Sequence, residues 1–294
     1  MLARTHKPGV GGSNPPLATN IINMKNLEMF CLTLDSNHLE KIKKLTYTPV
    51  GLGKTNFSDE WFTDKSGNTI SEKNQYYGEY TFHYWIWKNH IKKINSNWVG
   101  FCQYRKFWVE KKLDEKKKMT FNELENKIIK RIPDELSEFE SFIGDPFYVN
   151  QFRLSKFVKR NFKKMLLNPS LLFDKKKRTI KFHFDMWHGE GNLEKAIEFL
   201  DHNERGDFKH FTETETFFNP HNMFICKPHL LAKYYESIFP WLKDCEKIFG
   251  FKDLKGFGLK RIYGFLAERY LSYWFKKYSN YKTLPIYFKD ITNL

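Results

Sequence analysis

The chain has 294 residues, 41% hydrophobic and 18% aromatic, with a net charge of +15. That is enough apolar material to bury a core in one large domain or two small ones, and it excludes a disordered chain. No uninterrupted apolar run reaches the ~18 residues that span a bilayer, and the basic surface suits nucleic acid, anionic lipid or phosphorylated substrates, although codons rich in A and T also favour Lys, Asn, Ile and Phe.

Residues 1–22 lack hydrophobic periodicity and an apolar signal core, so they are expected to lie outside the fold. Gly12-Ser13-Asn14-Pro15 can be encoded by GGTTCGAATCC, the T-arm sequence of a transfer RNA gene. The expectation is therefore a mis-set start, with Met24 as the true first residue and one α/β domain over residues 23–294. Residues 28–34 read as a first strand, 37–44 as a short helix and 46–50 as a strand that Pro49 would confine to a sheet edge. Thr69-Ile70-Ser71-Glu72 has the form of a capping box. The helix it predicts places Tyr77, Thr81, Tyr84 and Lys88 on one face. Residues 98–104 form a short apolar run, a buried strand that delivers Tyr104-Arg105-Lys106 at its end, where open α/β sheets bind ligands.

A polar insert, residues 111–118, precedes a predicted helix over 122–131 and a strand over 139–143 closing at Gly144-Asp145-Pro146. Lys156 to Lys164 interleaves cations with Phe157, Val158 and Phe162, either a helix lying on an anionic membrane face or an amphipathic helix with a solvated side. Asn192 caps a helix with Leu193, Ala196, Ile197 and Leu200 on its buried face. A strand over 223–226 leads to Pro228, which opens a helix running to Gly250. A helix over 259–277 and a strand over 285–288 end the chain. Strands alternating with helices imply an α/β sheet. Cys31, Cys102, Cys226 and Cys245 show no CxxC spacing, which predicts buried, reduced thiols in a cytoplasmic protein, not a disulfide framework or a zinc site.

Four blocks carry a resemblance. EYTFHYWIWKN followed by WVGFCQYRKFW resembles the double signature, approximately ELTALYWAWKN then YIGLCHYRRYF, of a bacterial family found in capsule and exopolysaccharide gene clusters. HNMFICKPHLLAKYYESIFPWL, from His221, resembles its NMFIMKKELFDEYCEWLF stretch, and RIYGFLAERYLSYW resembles its GFLAERLL segment. The chain departs from the pattern at Gln103, where the family has His, and at Lys106, where it has a second Arg. Members are described as glycosyltransferases or glycosyltransferase-like proteins. The resemblance implies a GT-A-like nucleotide-diphospho-sugar transferase fold, with a mixed central sheet flanked by helices. It also implies a hexosyltransferase-type enzyme using a nucleotide-sugar donor. The acceptor would be a lipid-linked glycan or a surface polysaccharide (capsule, exopolysaccharide or lipopolysaccharide), met in the cytoplasm or at the inner membrane face by peripheral contact.

Such an enzyme binds a nucleotide, neutralises a leaving diphosphate and, if inverting, takes a proton from the acceptor hydroxyl. Many GT-A proteins hold Mn or Mg with an Asp-x-Asp motif, and this sequence has none. Either the metal is held differently or cations replace it. Arg105 and Lys106 beside Tyr104 suit the diphosphate, or form a surface salt-bridge pair. Asp145 suits a metal or ribose, or is an ordinary turn residue. Tyr84 and Lys88 are placed with the donor, Tyr84 by stacking, against the plain reading of core packing. Asn222, Glu79 and His188 are placed with the acceptor, although each also reads as structural. Glu268, inside an apolar helix, is the candidate base; its alternative is an ion pair with Arg269, Arg261 or Lys88. Two other readings compete: a basic nucleic-acid-binding protein, for which no recognisable motif exists and which is not expected, and a catalytically inactive polysaccharide-assembly protein.

Overall fold

The computed structural model describes residues 25–114, 116, 118–151 and 174–294. The 1–22 leader and the Lys156 to Lys164 segment lie outside the described residues. Nine strands form the central sheet: β1 (Lys25–Thr33), β2 (Thr48–Gly51), β3 (Phe62–Thr63), β4 (Ser96–Gln103), β5 (Lys106–Trp108), β6 (Ser141–Gly144), β9 (Phe224–Cys226), β10 (Tyr281–Leu284) and β11 (Ile286–Phe288). The spatial order is β10-β6-β9-β4-β1-β2-β3, with β5 and β11 as a side ribbon off β4. β1 to β4 pair parallel, as do β6 and β10, while β9 runs antiparallel between β4 and β6. A separate two-stranded ribbon joins β7 (Phe147–Tyr148) to β8 (Phe217–Phe218).

The period-2 alternation of the central strands builds two cores. Phe30 and Leu32 of β1, Val99 and Phe101 of β4, and Phe224 of β9 enter the cluster with helices Pro228–Phe249 and Ile262–Tyr278. Their sequence neighbours Met29, Cys31, Trp98, Cys102 and Ile225 enter the opposite cluster, with Ile42, Leu124 and Trp108. Burial on both faces is why these strands read as continuous apolar runs instead of alternating ones. All four cysteines are free and buried. No described helix is long and apolar enough to cross a membrane.

Several expectations need correction. The aromatic helix is not one rod: helix Asn74–Tyr77 breaks at Gly78 (φ 61), resumes as Tyr80–Trp85 and widens into a π-turn over Ile86–His90. A Cβ at Gly78 would sit 2.1 Å from Arg261 Nη2, so the break makes room for that guanidinium. Thr69 forms no capping box; its Oγ1 accepts from the Ser71 N–H, a local turn that competes with helix initiation. β2 is not an edge strand. β3 reaches only Val50 and Gly51, so Pro49 is paired on the β1 side alone, where its missing N–H is tolerated. The 122–131 helix shortens to Phe121–Glu125, whose capping box is Thr120 with Glu123, because Ile128 leaves it to bridge Val109. Helices Ile180–His188 and His202–Thr214 and strand β10 were not expected; His202–Thr214 is polar over most of its surface and buries only Phe208 and Thr212.

Candidate functional site

The strand order reverses at β1, with β2 on one side and β4 on the other, and a cleft of ≈ 360 Å³ opens beyond the carboxyl ends of β1 and β4. Thr33 and Leu34 leave β1 into this cleft, and Gln103 to Lys106 leave β4 into it. Its floor is braced by His38, which bonds Thr33 Oγ1 at 2.8 Å, reaches Thr292 Oγ1 at 2.9 Å and stacks on Tyr104. The turn into β5 carries Arg105, exposed, and Lys106, half-buried, and neither has an ion-pair partner within 4.0 Å among the described residues. Glu79, Arg261 and Glu268 complete the charged lining.

A two-residue turn before β9 ties these charges together. His221 and Asn222 both adopt the left-handed backbone region (φ 83 and φ 52), which His and Asn tolerate better than most residues. That turn aims the His221 N–H at Glu268 Oε1 (2.6 Å), and the His221 ring Nδ1 meets Lys106 Nζ at 3.1 Å. An ammonium can only donate, so Nδ1 accepts and the ring proton sits on Nε2. Burial, reinforced by Lys106 and Arg105, lowers the His221 pKa to about 3, so the ring stays neutral. Asn222 Nδ2 donates to Glu79 Oε1 (3.0 Å) and to the Gly264 carbonyl, while Arg261 reaches Glu79 Oε2 at 3.5 Å. Sequence reading missed His221; the signal was a His-Asn pair directly before a strand, both residue types suited to that turn.

Glu268 stands where the cleft adjoins a second chamber. Its side chain is 14% exposed, and Oε2 accepts a 2.5 Å bond from Arg269, which is itself only 2% exposed. Burial raises the Glu268 pKa, opposed by the Arg269 charge and the His221 N–H. Burial lowers that of Lys106, opposed by Glu79 and Glu268. Arg269 is held by the Phe265 carbonyl and by the Phe218 ring, 4.1 Å from its guanidinium carbon. The chamber, ≈ 690 Å³, is lined by Phe147, Trp187, His188, Phe218 and Arg269, and shares His221, Phe257, Phe265 and Glu268 with the cleft.

Of the residues singled out from sequence, Tyr104, Arg105, Lys106, Glu79, Asn222 and Glu268 line the cleft together. His188 lines only the chamber; its Nδ1 donates to the Gly258 carbonyl and its ring stacks on Phe265 at 4.0 Å. Tyr84 and Lys88 are not at the cleft. Tyr84 packs edge-on against Phe239, and Lys88 Nζ lies over the Trp87 ring at 3.1 Å. Five residues beyond Glu79, Tyr84 is about 140° round an α-helix and faces away. Asp145 follows β6 in an exposed turn outside both cavities. The carboxylates left for Mn or Mg are Glu79 and Glu268, both already paired, and no group of three potential ligands exists among the described residues. Among the described residues, those lining the cleft therefore do not by themselves make a three-ligand site for either ion.

In fold the chain is similar to the apo structure of WbbM, a bifunctional glycosyltransferase, with a TM-score of 0.62 at 18% identity. The match covers 90% of this chain and 45% of that one, so this chain spans less than half of WbbM. Core-mannan synthase A from Aspergillus fumigatus, in its Mn/GDP form, aligns at 11% identity over 85% of this chain and 69% of that one, with a TM-score of 0.29 too low to carry weight. No curated protein matches. The likeness is one of fold: a mixed α/β protein whose central, mainly parallel sheet is flanked by helices, as in the WbbM structure. A family pattern matches residues 35–280, a span that holds Arg105, Lys106, His221 and Glu268, and the chain belongs to that family, described as "Domain of unknown function (DUF4422)".

Proposed function

We propose that the chain is a glycosyltransferase that moves a sugar from a nucleotide-sugar donor to a glycan or lipid-linked acceptor, in the building of a surface polysaccharide. The observation that carries this reading is the cleft itself. At the switch point of a fold similar to that of WbbM, two cations without ion-pair partners among the described residues line the same cleft as a half-buried carboxylate. In the reaction the acceptor oxygen bonds to the donor's anomeric carbon, and the bond from that carbon to the diphosphate oxygen breaks. The diphosphate leaves with the electron pair, met by Arg105 and Lys106. The hydroxyl proton passes to Glu268, whose raised pKa brings its basicity closer to the working pH. Tyr104 and the β1 side of the cleft, Leu32 to Leu34 with Leu52, would take the nucleoside. Lys106 also holds the His221 ring and so couples the diphosphate side to the Glu268 side.

The test is calorimetric binding of uridine, guanosine and cytidine diphosphates to the wild type and to Arg105→Ala and Lys106→Ala. At least one should bind without added divalent metal, and each variant should weaken it by about tenfold or more, as for loss of a charge-assisted contact. No binding by any of the three ends the donor reading. The bond between Glu268 and Arg269 favours a second reading, an inactive assembly protein, because it ties the candidate base to a buried cation. Donor binding with neither hydrolysis nor transfer would select it.

A further inference from the structure

The second chamber is larger than the cleft, lies within the size range of small-molecule sites, and meets the cleft at Glu268. We propose that it is the acceptor subsite, and that it binds one sugar ring of the acceptor between aromatic walls. The proposal rests on the donor reading of the cleft.

Three observations lead there. Arg105 and Lys106 line only the cleft, while Glu268 lines both spaces. In an inverting transfer, the route that uses a base such as Glu268, the nucleophile approaches the anomeric carbon from the side opposite the diphosphate and within reach of that base. The space beyond Glu268, away from the two cations, meets that requirement. The second observation is the wall. Phe147 is 45% exposed and Phe257 70% exposed, and with Trp187 at 37% they give this one chamber an exposed aromatic lining. A sugar ring carries C–H groups on its faces and hydroxyls on its rim, so aromatic walls with a few polar groups match it. The polar groups are the third. His188 is neutral, its pKa lowered to about 3 by burial and by the Arg269 charge, and Nδ1 is committed to Gly258. Nε2 is then the acceptor of that ring. An alkyl chain would gain nothing from a histidine acceptor and would strip water from Glu268 and Arg269 without replacing it.

Phe257 sits at the boundary, on the short helix Gly256–Lys260, whose first residue has φ 74. Gly258 lets this helix pack on the chamber floor, since a Cβ there would meet the Trp187 carbonyl at 2.2 Å. The same backbone therefore offers Phe257 to the sugar and fixes His188 through the Gly258 carbonyl.

The experiment uses saturation-transfer NMR on the full chain with methyl glycosides of glucose, galactose and mannose, and with octyl glucoside. Phe147→Ala removes a wall that lies outside the cleft, and Phe147→Tyr restores it. At least one methyl glycoside should receive saturation at its ring C–H protons with the wild type and with Phe147→Tyr. Phe147→Ala should weaken that binding by about fivefold or more. Equal binding by Phe147→Ala, no binding of any methyl glycoside, or saturation confined to the octyl chain would each overturn the proposal, the last in favour of a lipid groove. Nucleoside diphosphate affinity, measured in parallel, separates the two readings. If it is intact when glycosides fail, only the subsite falls; if it is absent when glycosides bind, the donor reading falls and takes the acceptor role with it, leaving a sugar-binding chamber of another purpose.

Discussion

The two ends of the aromatic helix segment have opposite fates. At its start, Gly78 and Glu79 belong to the cleft, with Glu79 held by Asn222 and Arg261. Five and nine residues after Glu79, Tyr84 and Lys88 pack on Phe239 and Trp87, outside the cleft. Both ends are rich in residues that glycan or nucleotide sites use. Composition is therefore a poor guide within a single element, and the side of the helix facing the strand ends decides.

The largest expected effect lies with Glu268. Glu268→Gln preserves an acceptor oxygen for the His221 N–H but removes the negative charge beside Arg269. As the base, its loss should lower transfer by on the order of 100-fold or more while nucleoside diphosphate affinity holds. Leaving Arg269 buried without its counter-charge should also cost about 3 kcal/mol of stability. Turnover measured well below the melting temperature separates the two effects. Unchanged turnover with lowered stability would make Glu268 structural and level the contrast between cleft and core.

Next in size is the response to acid. His221 at the cleft, His188 in the chamber and His83 in the aromatic core all have pKa values lowered by burial to about 3. Below pH 6.5 the unfolded chain takes up protons that the folded chain refuses. Their contribution to stability is therefore complete above about 6.5 and is lost as pH falls toward 3. The slope is about 1.4 kcal/mol per pH unit for each histidine. Glu268 acts with the opposite sign, since a raised carboxyl pKa favours the folded state as pH falls. Denaturant unfolding between pH 6.5 and 5 should show the histidine slope. A flat profile would mean that more than one of these rings accepts a proton in the folded state, since Glu268 alone offsets only one histidine.

Much of the fold was legible because β1 and β4 are buried on both faces and so announce themselves as apolar runs. The cations at the end of β4 followed from where a central strand must stop. What could not be read is whatever depends on distant partners. The Gly78 break answers to Arg261, far along the chain, and the Glu268–Arg269 pair faces a chamber built from β7, β8 and helix Ile180–His188. His221 was hidden for the same reason, because its role comes from a left-handed turn and from Lys106, not from a motif.

Gly78→Ala tests the near end of the helix without removing a charge. The backbone at φ 61, ψ -134 is open to glycine and costs about 1–3 kcal/mol for a residue with a Cβ, and the new methyl displaces the Arg261 guanidinium from 2.1 Å. Arginine is flexible, so the fold should survive with a melting temperature several degrees lower. Arg261 would no longer reach Glu79, and nucleoside diphosphate affinity should change with it. A variant with lowered stability and unaltered affinity would remove Arg261 from the binding surface and leave Gly78 a purely structural break.

The smallest effect should come from the far end. Lys88 is exposed and spends its charge on the Trp87 ring, a contact worth roughly 0.5–1 kcal/mol at an exposed site. Lys88→Ala should therefore lower stability by no more than about 1 kcal/mol. It should also leave nucleoside diphosphate affinity and turnover within about twofold, since Lys88 lines neither cavity. Lys88→Arg, which keeps a cation over the ring, should restore the lost stability. The decisive comparison is with Lys106→Ala in the same assay, because both residues are lysines in the one aromatic stretch. A tenfold fall in affinity for both would mean that long-range charge, not contact, governs the donor. In that case lowering the salt concentration should tighten binding in wild type and both variants alike. A fall for Lys106 alone ties recognition to the face of the sheet where β4 ends.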